Sequence, residues 1–480
     1  MPDETLTTAP GDGFETPSRE AWEALARKAA GTLDLAELTS LTDDGIAIQP
    51  LYVPADCPSP AAVPGMPASA PAIRSLVAEP APEAANEAIH EEITGGADEI
   101  LLQIEAPGQA GIRLEVPGDL ERVLGGVGPG SIAIHLRHAT VPHSGAAPRH
   151  LFVDLADWWD RAGDGDALTG GFGIDTIGAA AAGHIPMSWL DKDGLAWDAG
   201  AMGYALSGAP GALVLCASGL PYHEAGASEA QELAAMLASA VAHLRICDEH
   251  GTPPWDAAPR IGLELAADAD LFLTIAKLRA ARLMWARLGE ECGFDARPRL
   301  AVQTSARMMC ASDPETNIVR TTMAVLGAGI GGADAVTILP FTHALGPPRP
   351  DARRIARNTR HILGEEAHIG MVADPAAGAP AVEILTEDLC ETAWGMLSRI
   401  EARGGMVAAL TSGWLHREIA AVRGARASAL AAGRRVLVGA TAYRPEPARP
   451  SAAGTWDVPA VAGRSATALA PIRLEDGVAE

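Results

Sequence analysis

Several clusters in this chain have the residue types that chemistry needs. Gly327-Ala328-Gly329-Ile330-Gly331-Gly332 has the glycine density of a dinucleotide loop, in which backbone N–H groups at a helix start would cradle phosphates. It follows a helical stretch and precedes an apolar run. That order is the reverse of a phosphate site, so it reads as the turn that ends a helix. Arg353, Arg354, Arg357 and Arg360 recur at helical spacing and could grip a phosphate. In an acidic protein the same row reads as an ion-pairing outer face. Glu365-Glu366 falls at the end of that helix and reads as a solvent-facing pair. The six cysteines, Cys57, Cys216, Cys247, Cys292, Cys310 and Cys390, form no C-x-x-C and no cluster with histidine. They read as reduced and mostly buried, which points to the cytoplasm.

The elements that would position such groups follow from composition and periodicity. The chain is 48% hydrophobic and 20% charged, the balance of a globular protein, and only 4% aromatic. Its core must therefore use Ala, Leu, Val and Ile, which suits close helix–strand contacts. A formal charge of −25 with no basic stripe argues against nucleic acid. No run of about 18 apolar residues occurs, and no charged start precedes an apolar stretch, so neither a membrane span nor export is expected.

Residues 1–13 are Gly- and Pro-rich and expected to be disordered. Residues 18–42 carry helical periodicity, with Ser18 as a helix start. Residues 45–80 are proline-rich and read as an extended arm. Short apolar runs then recur at 100–104, 131–136, 171–174, 212–216, 261–265, 300–302, 335–339 and 368–372. Helical segments lie between most of them, as at 227–249, 270–291, 314–326 and 352–366. Strands alternating with helices imply a parallel sheet, either doubly wound or closed as a (β/α)8 barrel. One or two helices follow Gly405 and end near Gly433, before a Pro- and Ala-rich tail.

From Gln303 to Asp374 the chain resembles the barrel of the methylmalonyl-CoA mutase family, which rearranges acyl-CoA carbon skeletons with adenosylcobalamin. The matching motifs are Gln303-Thr304-Ser305, Asp313 to Thr321, Ala352 to Thr359 and Val372 to Pro375. Ser18 to Trp22, Leu41 to Ile46, Gln49 to Tyr52, Lys277 to Arg282 and Gly404 to Met406 extend the likeness to residues 14–445. The resemblance implies an α/β fold, a (β/α)8 TIM barrel with an extended N-terminal arm and a short helical, Pro-rich C-terminal tail. The expected division is an arm at 1–70, a barrel at 71–405, and helices and tail at 406–480.

The family's two catalytic positions are altered. Its tyrosine follows an I-R-[QS] element, and in Ile73-Arg74-Ser75-Leu76 that place is taken by Leu76. Its histidine stands in S-G-Y-H, and in Ser218-Gly219-Leu220-Pro221 that place is taken by Pro221, which has no side-chain donor. His223 lies two residues on and is the remaining candidate for a shifted catalytic histidine. A helix-start histidine on the barrel rim is the plainer reading. The family's cobalamin signature, D-x-H-x-x-G, has one near match, Asp248 to Pro253, which ends in proline and lies between a helix and a strand. No nucleotide-like domain is expected past Tyr443.

The resemblance therefore implies a small (beta), non-catalytic subunit of a heterodimeric methylmalonyl-CoA mutase. Acyl-CoA and adenosylcobalamin would be bound by a large (alpha) partner, with no cofactor and no metal on this chain. The alternative is the catalytic barrel of a split acyl-CoA mutase, with cobalamin on a separate chain. A third reading is a free-standing scaffold for a metallochaperone or another enzyme. Two structural expectations follow. Leu101-Leu102, Ile132 to Ile134 and Leu213 to Leu215 should plug the barrel axis. Phe14, Trp22, Ile46, Ile48, Leu51 and Tyr52 should bury themselves on a partner, with folding back on the barrel as the alternative.

Overall fold

The computed structural model describes residues 17–31, 34–57, 59, 62–116, 118–137, 151–161, 170–209, 211–445 and 468–477. Residues 1–13, expected to be disordered, lie outside them, as does Phe14.

Eight parallel strands close into a barrel. They are β3 (Ala72–Val77), β4 (Glu99–Gln103), β5 (Ala133–Arg137), β6 (Gly170–Ile174), β7 (Leu213–Ser218), β8 (Ile261–Ala267), β9 (Arg299–Thr304) and β10 (Ala335–Thr337). β10 pairs with β3 to seal the ring. The short strands β1 (Ser40–Leu41) and β2 (Ala47–Ile48) form a separate antiparallel ribbon in the arm.

The helices are α1 (Arg19–Ala30), α2 (Pro82–Thr94), α3 (Asp119–Val123), α4 (Leu151–Asp160), α5 (Thr176–Ala182), α6 (Lys192–Gly208), α7 (Leu220–Glu224) and α8 (Glu229–Glu249). They continue as α9 (Pro254–Ala257), α10 (Leu271–Cys292), α11 (Thr316–Ile330), α12 (Pro350–His361), α13 (Pro380–Glu401), α14 (Met406–Thr411) and α15 (Trp414–Ala431). Five begin where the sequence supplies a side-chain cap. Ser18, Asp175, Asp191, Ser228 and Asp270 each accept a backbone N–H of the first turn. α8 is buried on nearly all sides, because β7, α6, α13 and α14 surround it. Its run of Ala234, Ala235, Ala238 and Ala240, all without exposed surface, lets these neighbours approach closely.

Two expectations change here. The eighth strand is not 368–372, and the first is Ala72–Val77, which the proline-rich context hid. His368 and Asp374 have φ of 57° and 47°, and Gly370 has φ of 90°, so that segment turns repeatedly and cannot extend. Met371 and Val372 are left exposed. The arm is also not free. Ile46 is buried, Asp43 receives Arg426 Nε at 2.9 Å and Arg435 Nη1 at 3.1 Å, and Asp44 receives Ser228 Oγ at 2.5 Å. Residues 42–46 thus fold onto their own barrel. By contrast α1 has no buried residue.

Candidate functional site

Strand pleating decides what faces the barrel axis. On β3 Ala72, Arg74 and Leu76 point inward; on β4 Glu99, Leu101 and Gln103; on β5 Ala133, His135 and Arg137. Gly171 and Gly173 of β6, Glu264 of β8, and Ala301 and Gln303 of β9 complete the wall. Leu102 and Ile134, expected to plug the axis, point outward into the helix layer and are fully buried there. Leu76, Leu101, Leu213 and Leu215 do face the lumen, but the glycines, alanines and polar side chains around them leave a cavity of about 680 Å³ instead of filled aliphatic layers. Its wall extends from Asp98, Arg299 and Asp334 at the strand starts to Leu220, Pro221 and His343 beyond their ends. The expected plug is therefore wrong. This volume falls within the roughly 300–1,000 Å³ typical of small-molecule sites.

A belt of ion pairs crosses the lumen. Arg74 Nε lies 2.6 Å from Glu99, with His135 Nε2 at 3.3 Å from the same carboxylate. Burial pushes the Glu99 carboxyl up, but Arg74 and then His135 outweigh it and hold the group well below the usual range. Burial and the Arg74 charge push His135 down, which favours its neutral form. Arg137 spans the opening, donating to Gln303 Oε1 at 2.7 Å and Glu264 Oε1 at 2.5 Å. Ser218 Oγ donates to the other Glu264 oxygen at 2.8 Å. Glu99, His135, Arg137 and Glu264 escaped the sequence reading. The available signal was a charged residue inside an apolar strand, as in Ile-His-Leu-Arg and Leu-Glu-Leu, where a strand covered by helices should read almost continuously apolar.

Leu76 and Pro221 both line the lumen near its mouth. Neither carries a hydrogen-bonding side-chain atom. His223 is fully buried on α7 and is not part of the lumen wall. Its Nδ1–H donates to Glu232 Oε2 at 2.9 Å, and its Nε2 lies 2.8 Å from Ser305 Oγ. Lys277 Nζ donates to the same Glu232 oxygen at 2.6 Å. Burial alone would raise the Glu232 pKa, yet Lys277 and His223 bring it down to about 2. Glu232 is thus ionised, which makes His223 Nδ1 the donor. His223 belongs to a buried ionic network joining α7, α8, α10 and the end of β9; it sits on the helix at the barrel's rim but is buried away from the lumen.

The other sequence candidates separate. Arg353 and Arg357 turn inward, with Arg353 Nη1 2.8 Å from Glu79 and Arg357 Nη1 2.5 Å from Glu92. They fasten α12 to α2, so only Arg354 of the row is exposed. Gly331 and Gly332 do end α11, and Glu365 and Glu366 are exposed at a helix end. All six cysteines are free thiols. His250 follows α8 on the N-terminal side of the barrel, opposite the mouth, with Nδ1 2.9 Å from the Ile246 carbonyl. His250 therefore lies outside the lumen wall with one ring nitrogen already engaged, and Asp248 to Pro253 makes no ligand pocket with the lumen. Among the described residues no helix is long and apolar enough to cross a membrane.

A family model described as methylmalonyl-CoA mutase matches residues 160–477. The chain belongs to the methylmalonyl-CoA mutase family. A methylmalonyl-CoA mutase small subunit of Streptomyces virginiae is 38% identical over 471 residues, covering 91% of this chain and 73% of that protein. A methylmalonyl-CoA mutase small subunit of Propionibacterium freudenreichii subsp. shermanii is 34% identical, covering 89% of this chain and 68% of that one. The methylmalonyl-CoA mutase of Escherichia coli is 27% identical over 463 residues, 64% of its length.

Proposed function

We propose that this chain is the small, non-catalytic subunit of an adenosylcobalamin-dependent methylmalonyl-CoA mutase. The large subunit would carry the acyl-CoA, the cofactor and the interconversion of methylmalonyl-CoA and succinyl-CoA. The observation that carries this reading is the pair Leu76 and Pro221 at the lumen mouth. The rearrangement needs a hydrogen-bond donor on the thioester carbonyl, and neither residue supplies one. The nearby His223 is committed to Glu232 and Ser305 and has no path to a substrate in the lumen. The names of the relatives support the subunit assignment.

The open lumen favours a second reading, the catalytic barrel of a split acyl-CoA mutase with cobalamin on another chain. That reading has room for an acyl chain but lacks the donor. One experiment separates the two. The purified chain is assayed with methylmalonyl-CoA and adenosylcobalamin, alone, with a large subunit, and with a separate cobalamin-binding chain. Under the first reading only the large subunit gives turnover. Turnover by the chain alone, or with the cobalamin chain alone, would overturn it.

A further inference from the structure

At the lumen wall a partly exposed aspartate meets two fully buried titratable side chains behind it. Asp175 closes β6, lines the lumen and caps α5 by accepting Gly178 N–H at 2.7 Å. Asp198 on α6 is fully buried and accepts Thr176 Oγ at 2.6 Å. Fully buried His243 on α8 stands between them, with Nε2 4.0 Å from Asp175 Oδ1 and Nδ1 3.7 Å from Asp198 Oδ2. Neither ring nitrogen, nor Asp198 Oδ2, makes a well-formed hydrogen bond, although the Cys216 backbone acts on the His243 ring as a loose partner. Buried polar atoms are nearly always paired, so three unpaired atoms meeting at one place need a reason.

We propose that Asp175, His243 and Asp198 form a proton-holding latch that ties the lumen wall to the outer helices and loosens as pH rises. A protonated carboxyl is a donor, and a neutral imidazole offers one acceptor and one N–H. With protons on the carboxyls the chain Asp175–His243–Asp198 can close by a slight shift of α6 and α8. With both carboxylates ionised, a neutral imidazole can serve only one of them.

The surroundings favour the protonated state. Burial pushes Asp175 up to about 7 and Asp198 up to about 8, and pushes His243 down to about 4. The protons belong to the cluster as a whole. Glu264 of β8 faces Asp175 and raises it further, and Asp175 in turn raises Asp198. Cys216 of β7 and Tyr222 of α7 sense Asp175, and Cys247 of α8 senses Asp198; all three are themselves raised, chiefly by burial. No arginine or lysine is among the groups acting on the three. The sign follows. The folded carboxyls keep protons that the unfolded chain loses near pH 4, so stability falls as pH rises toward their folded values. His243 acts oppositely, but only below its unfolded value of about 6.5.

The test uses the full chain. Thermal midpoints are measured from about pH 6 to about pH 9 for wild type, Asp198→Asn and His243→Gln, with hydrogen exchange in α6 and α8 alongside. The wild-type midpoint should fall across this window by more than that of Asp198→Asn, and exchange in α6 and α8 should quicken beyond the intrinsic pH effect. Parallel profiles for wild type and Asp198→Asn would overturn the latch. Should Asp198→Asn fail to fold, infrared spectra with isotope-labelled aspartate decide. In an Asp44→Asn background, since burial also raises Asp44 to about 6, a protonated carboxyl band near pH 6 that is lost by about pH 9 supports the latch, and its absence at pH 6 overturns it.

Discussion

The guanidinium of Arg137 on β5 reaches across the barrel to Glu264 on β8, with Nη2 2.5 Å from the carboxylate. Parallel barrels are ordinarily held open by packed layers of branched side chains. Here one ionic bar does part of that work. Arg137→Met would leave Glu264 buried with only Ser218 for company. Removing one partner of a buried pair is more costly than replacing both. Arg137→Met should therefore lose about 3 kcal/mol in denaturant melts, and Arg137→Met with Glu264→Gln should recover part of it. A double-variant loss equal to the sum of the Arg137→Met and Glu264→Gln losses would show that the pair is uncoupled.

The cavity predicts that two wall positions differ sharply. Leu76→Tyr has lumen space in front of it and should fold with a nearly unchanged thermal midpoint. Gly173 has φ of 58°, and a Cβ there would run into the Leu136 carbonyl. Gly173→Ala should cost about 3 kcal/mol, since strain and overpacking add. A Leu76→Tyr chain that misfolds would mean that the lumen is closed in solution.

The alternation of strands and helices was legible from apolar periods, and the family resemblance chose a barrel over a doubly wound sheet. Ser228 and Asp270 start α8 and α10 where the pattern places them. What misled was local. Ala72–Val77 looked like arm because prolines precede it, and 368–372 looked like strand because its apolar residues hide the positive φ of His368 and Gly370. The lumen was misread for a different reason. Leu101 and Leu102 are adjacent, but pleating sends only one of them inward, and a run of apolar letters does not say which. Leu76 and Pro221 could be placed at the mouth from motif order alone. The commitment of His223 to Glu232 could not, because that contact joins two helices through side chains.

The His223 network makes a pH prediction. Burial would raise Glu232 and Asp268, but Lys277 and His223 in the first case, and Arg307 and His223 in the second, bring both down to about 2. A depressed carboxyl adds stability that is present above its unfolded value of about 4 and is lost as pH falls toward 2. His223→Asn should lower the thermal midpoint at neutral pH and flatten its decline in this acid window. Turnover by the complex with the large subunit should be unchanged once both partners are folded. A large drop in turnover at an unchanged midpoint would instead make His223 a catalytic group.

The arm gives the last prediction, and the structure divides it. Residues 42–46 are occupied with their own barrel through Asp43, Asp44 and Ile46. α1 is not: none of its residues is buried, Leu25 is 67% exposed, and the Arg19–Asp56 pair that tethers it is itself partly exposed. Trp22 and Leu25 fall three apart on one face of this helix, so a partner can bury both together. Each is worth roughly 1.5–3 kcal/mol when fully buried, and about 1.4 kcal/mol is tenfold in affinity. Deleting residues 1–31 should leave the barrel folded by circular dichroism and weaken binding to the large subunit at least tenfold. Asp43→Asn should act differently, loosening residues 42–46 against Arg426 and Arg435 and lowering the midpoint with little effect on α1. If the truncated chain binds the large subunit with unchanged affinity, α1 is not the interface, and the contact must come from the barrel itself.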